Sequence, residues 1–118
     1  LGSEQFVRDV FKANPDHSLS LFCAIEEGLV LALGEVIHPI ETAKSAFEEV
    51  RQKIGEPSVI LTCDCVSRKI DFTANEIIPQ AGKLYADNRV FGFCTYGEQY
   101  NGIHINRTFT GIALGAHK

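Results

Sequence analysis

The 118-residue chain contains no methionine. Leu1 is therefore not expected to be a natural start: the chain reads as a piece of a longer polypeptide, with Leu1-Gly2-Ser3 an addition to it. No apolar run approaches the roughly 20 residues that a membrane helix needs, and no secretory signal precedes the first charged segment. Neither a membrane span nor export is expected. Basic residues are few and scattered, 11 Lys and Arg against 15 Asp and Glu. With a net charge of −4, that excludes a nucleic-acid surface built on a basic patch. Internal repeats and low-complexity segments are also missing, while 45% hydrophobic residues make the chain globular rather than disordered. A single domain over 1–118 is expected, long enough to bury a core.

Zinc-type cysteine spacing is absent too. Cys23, Cys63, Cys65 and Cys94 all sit in apolar segments, where reduced thiols act as small hydrophobes. An even set permits two disulfides, but placement in strand-like segments points to the reduced, cytoplasmic case. Cys63 and Cys65 share one strand face, yet structural zinc takes its ligands from tight turns, so no metal is expected.

What is present is an alternation of strands and helices. Strands are expected over Gln5–Ala13, Ser18–Ile25, Leu29–Val36, Ser58–Val66, Arg89–Tyr96 and Ile103–Leu114. Asn14-Pro15-Asp16-His17 and Asn101-Gly102 supply turn chemistry. Ser18–Ile25 and Leu29–Val36, joined by Glu26-Glu27-Gly28, read as a hairpin whose second strand is buried on both faces. Pro39 opens a helix with Ile40, Ala43, Phe47, Val50 and Ile54 on one stripe, ended by Gly55 and Pro57. Thr73 with Glu76 is a capping-box pattern for a second helix, which Pro79 kinks or restarts. The expected class is α+β. One mixed, largely antiparallel sheet of about six strands carries two helices, in the order β-β-β-α-β-α-β-β, covered mainly on one face. The strand–helix–strand connections allow part of it to be parallel.

Polar chemistry concentrates around the end of the fifth strand. Thr95, Tyr96, Gly97 and Glu98 form one side of a hairpin mouth, and Asn106 and Thr108 the other. Donors, acceptors, an aromatic face and one negative charge suit recognition of a small polar molecule, including one with an ammonium group. The competing reading is a hairpin whose polar groups satisfy its own backbone. Arg68, at the end of a buried strand, suits a ligand carboxylate or Glu98 itself, and equally reads as a solvated arginine or half of a structural Arg–Glu pair. Catalysis is not indicated, because no activated nucleophile or divided acid–base pair is visible. Cys94 with His104 is the nearest approach to one, lacking a third group to orient the histidine. Among His17, His38, His104 and His117, only His104 has a place from which to ligate a metal or haem.

The sequence resembles the C-terminal domain of the FIST family, the F-box and intracellular signal transduction proteins. The resemblance rests on Val7-Arg8, on Glu27-Gly28, on Cys65-Val66-Ser67-Arg68, on the segment Gly92 to Glu98, and on Asn106 with Thr108. It runs from about Phe6 to Leu114. Two positions depart from the family pattern: Ile105 stands where histidine is common, and Cys94 where an aromatic is common. The resemblance implies a non-enzymatic sensory module that binds a small ligand, amino acids or their derivatives being proposed. It also implies output partners such as histidine kinases, cyclases or chemoreceptors. Haem, which some members bind, is not expected, nor is any other cofactor. The family's N-terminal domain is missing from this stretch. A protein-interaction module without a ligand is the second expectation and a cysteine-dependent enzyme the third.

Overall fold

The computed structural model describes residues 6–115. Leu1-Gly2-Ser3, Gln5 of the first expected strand, and His117 lie outside them. The chain opens with a short antiparallel pair, β1 (Val10–Ala13) and β2 (Leu19–Leu21). The turn between them forms as its residues suggest. His17 takes a left-handed φ of 66°, and Asp16 Oδ1 accepts from the Ser18 amide at 3.1 Å and the Ser18 hydroxyl at 2.7 Å.

The segment 29–36 departs from expectation. β2 pairs with β1, not with a following strand, and 22–38 forms no helix or strand. Among the described residues, no backbone hydrogen bond involves 30–37. Val30 and Leu33 are fully open to solvent, at 93% and 103% exposure. An apolar run becomes a strand only where another strand accepts its backbone groups, and none here does.

Helix α1 (Pro39–Ile54) starts at the expected proline and buries Ile40, Ala43 and Phe47. Gly55, at φ 76°, ends it by donating its amide to Arg51 at 2.8 Å. Strand β3 (Pro57–Cys65) runs directly into α2 (Val66–Ala74). The capping box is therefore not used. Thr73 lies in the last turn of α2, its hydroxyl donating back to the Lys69 carbonyl at 2.8 Å, and Glu76 takes a left-handed φ of 57° just after the helix. Helix α3 (Ile78–Asp87) restarts at Pro79 as expected. It leads to β4 (Val90–Thr95), β5 (Glu98–Tyr100), β6 (Ile103–Ile105) and β7 (Phe109–Gly115). Asn101-Gly102 makes the β5–β6 turn with φ 49° and 77°. The single last strand expected from the sequence is broken at Arg107, whose φ is 55°.

The class is α+β, and among the described residues there are three helices rather than two, with the strands divided among three small sheets. The main sheet has the order β4-β3-β7, with β4 parallel and β7 antiparallel to β3. Gly92 and Gly111 flank Thr62 on it, and a Cβ on either would strike the β3 backbone, at 2.2 Å and 2.4 Å respectively. All three helices lie over one face. Ala43 and Phe47 of α1 meet Ile60, Val90, Phe109 and Ala113 of the sheet and Leu84 and Tyr85 of α3. Ile40, Phe72 and Ala81 join the three helices beside them. No helix among the described residues is long and apolar enough to cross a membrane. Phe47 is 3% exposed and edge-on to both Tyr85 and Phe109. Phe47→Ala should therefore cost about 3–5 kcal/mol, read as a lower urea midpoint at unchanged slope.

Candidate functional site

β4 and β7 lie on either side of β3, and their neighbouring ends bring Thr95 and Thr108 to one place. Between them stands Glu98, the first residue of β5, paired with Ile105 and only 2% exposed. One carboxylate oxygen accepts from the Thr95 hydroxyl, and the other from the Thr108 hydroxyl at 2.6 Å. No salt bridge reaches Glu98 among the described residues. Two hydroxyl donors leave part of the hydrogen-bonding capacity of this carboxyl group unused.

Asn106 follows Ile105, the β6 partner of Glu98, and is 1% exposed. Its Nδ2 contacts His104 Nε2 at 3.3 Å, while Oδ1 is buried with no partner. Both side chains press on Gly97. A Cβ there would lie 2.3 Å from His104 Nε2 and 3.1 Å from Asn106 Nδ2. Gly97 is thus needed for close approach, and its φ is not left-handed. Tyr96 projects outward at 84% exposure. Glu98 and Asn106 Oδ1 are both buried acceptors, and Oδ1 has no hydrogen-bond donor among the described residues. The described residues hold no group of three or more His, Cys, Asp or Glu placed to bind a metal.

Arg68 is elsewhere in its contacts. It sits in the first turn of α2, donating Nε to Asp64 Oδ1 at 2.6 Å and Nη2 to the Tyr85 hydroxyl at 3.1 Å. Tyr85 in turn donates to Asp64 Oδ2 at 2.9 Å, closing a triad. The guanidinium also lies over Phe72 and Phe109, at 5.1 and 5.5 Å from their ring centres. Arg68 is thus neither solvated nor paired with a glutamate: its ion-pair partner is Asp64. Burial opposes its charge, but Asp64 and the Tyr85 hydroxyl outweigh that and hold its pKa above the ordinary arginine value.

A second arginine, which the sequence did not single out, braces the site. Arg107, between Asn106 and Thr108, donates Nε to Asp9 Oδ1 at 3.1 Å and Nη1 to Asp71 Oδ2. It ties the hairpin to the N-terminal segment and to α2, and so positions its two neighbours. Arg8 adds a bond from Nη1 to the His104 carbonyl at 3.1 Å, its Nε buried and unpartnered. Nothing local in Asn-Arg-Thr marks the middle residue, because its partners are 98 and 36 positions away. The cysteines are all free, with Cys65 buried and Cys94 exposed. No hydrogen bond joins Cys94 to His104 among the described residues.

Burial first, and then the Asp64 carboxylate, push the Tyr85 hydroxyl up to about 12 from 10.0, against the opposing pull of Arg68. A group whose pKa is higher in the folded state leaves stability intact below the unfolded value and removes it above. The Tyr85 contribution should thus be whole below pH 10 and lost between pH 10 and 12. Urea titrations across that window should show a shallower alkaline fall for Tyr85→Phe than for the parent chain.

The family model of the FIST C domain matches residues 2–101. The match ends in the β5–β6 turn, so Thr95 to Glu98 fall within it and Asn106 and Thr108 beyond it. No curated protein and no solved structure gives a significant match to the chain. The FIST C domain is generally a sensory domain of signal transduction. With 2–101 matched out of 118 residues, the chain belongs to the FIST C domain family.

Proposed function

We propose that this chain is a non-enzymatic, cytoplasmic sensory domain that binds a small polar ligand, an amino acid or derivative, at the Thr95–Glu98 hairpin. It relays binding to an output protein such as a histidine kinase, cyclase or chemoreceptor. The observations that support this reading are a buried Glu98 carboxylate, held among the described residues only by two hydroxyls, and a buried, unpartnered Asn106 Oδ1 on the neighbouring strand end. Folding gains little from such an arrangement, whereas a donor-bearing ligand would complete it. Tyr96, exposed beside them, offers an aromatic face to the same molecule.

The second reading, a protein-interaction module without a small ligand, draws support from the large apolar side chains exposed on the sheet face away from the helices. Thermal unfolding with a panel of amino acids and related metabolites separates the two. A true ligand at one hundred times its Kd should add about 2.7 kcal/mol, seen as a raised melting point. Tyr96→Ala and Glu98→Gln should lose that shift. Because Tyr96 is 84% exposed, its substitution should leave the empty protein's melting point unchanged. Ligand-induced stabilisation that survives both substitutions would count against this site.

A further inference from the structure

The helices cover one face of the β4-β3-β7 sheet and leave the other open. On that open face Leu61, Phe91, Phe93, Ile112 and Leu114 stand in adjacent register positions, 45–75% exposed. Phe91 and Phe93 belong to β4, which among the described residues pairs only with β3 and whose four central residues are all exposed. The sequence of this edge, Val-Phe-Gly-Phe-Cys-Thr, has no charge and no proline, and its register with β3 has no bulge. Strand edges left without such protection are templates for another strand.

The same molecule carries an unpaired strand-like segment. Leu29, Val30, Leu31, Leu33, Val36 and Ile37 are all more than half exposed, and 30–37 makes no backbone hydrogen bond among the described residues. Apolar residues at both parities are what a strand buried on two faces requires. The radius of gyration, 16.1 Å, exceeds the about 13.5 Å of a compact chain of this length. The segment's C-terminal end is fixed on the helix layer, where Ile40 is 1% exposed, so it is anchored away from its own open face.

We propose that two copies of this chain associate through their open sheet faces, the 29–36 segment of each pairing as a strand along the free edge of β4 in the other. The arrangement is isologous, each copy giving and receiving the same elements. The eleven large apolar side chains named on the open face and the segment would bury about 60 Å² each, the low end of what side-chain transfer energies imply. Over two copies that is about 1,300 Å², within the range of about 1,200–2,000 Å² for stable interfaces.

Sedimentation equilibrium of the 118-residue chain, followed by hydrogen exchange, tests this. Expected are a dimer that dissociates on dilution and amides of 29–36 that exchange slowly only in the dimer. Phe93→Asp should abolish the dimer. Leu33→Pro should do the same by breaking the ladder, and it should leave the thermal unfolding of the dilute monomer unchanged, since 33 is outside the packed core. A chain that is monomeric to high micromolar concentration overturns the proposal, leaving the face to a different partner. So does a monomer with protected 29–36 amides, which would place the segment on its own sheet. A dimer that survives either substitution overturns it equally.

Discussion

The closed triad of Asp64, Arg68 and Tyr85 is the contact on which the architecture turns. It sits where β3 passes into α2, with no intervening loop, so the central strand and the helix that follows share one ion pair. Tyr85 brings α3 into the same group, and its ring stacks on Phe109 of β7 at 5.1 Å. Four elements thus meet through three polar side chains that satisfy one another. Burying them alone would be unfavourable; each removes the desolvation cost of the next, and their aromatic surroundings exclude water. The ladder and the triad together set the directions in which β4 and β7 leave β3.

Those directions decide what happens at the sheet end. Thr95 and Thr108 come together because the residues before Thr95 run parallel to β3 while those after Thr108 run antiparallel to it. A carboxylate placed between two hydroxyls is then a consequence of topology more than of local sequence. Arg107 completes the geometry by fixing the break between β6 and β7 through Asp9 and Asp71. The arrangement therefore rests on three separate parts of the chain, whose hydrogen bonds hold Glu98 and Arg107 in place.

Much of this was legible in the residues, for reasons that can be named. Pro39 and the stripe of Ile40, Ala43 and Phe47 announced α1, because one apolar face and one proline satisfy local and tertiary demands together. The restart at Pro79 and the Asn101-Gly102 turn were readable on the same grounds. Thr73 and Glu76 misled because a capping-box pattern has the same spacing at the end of a helix as at its start; only the helix that runs on from Cys65 decides. The hairpin mouth stood out through its composition, yet the division of roles within it did not. That Arg68 pairs with Asp64 rather than Glu98 depends on α2 beginning at Val66, a boundary with no stop signal before it. Arg107, whose partners lie far along the chain, was beyond any local reading.

The segment 29–36 is the sharpest disagreement between sequence and structure, and it bears on the site. Its composition asks for two neighbours, while the fold supplies a sheet with one layer of helices and an unprotected edge. β4 is both that edge and the strand whose last residue, Thr95, holds the Glu98 carboxylate. A strand ladder along β4 would restrain its backbone to the very residue that donates to Glu98. A β4 stiffened in this way would favour whichever arrangement of Thr95 and Glu98 its new neighbour accommodates. By linkage, a ligand selecting the same arrangement would strengthen the ladder in turn. The open edge thus ends at Thr95, the residue through which β4 meets the polar hairpin.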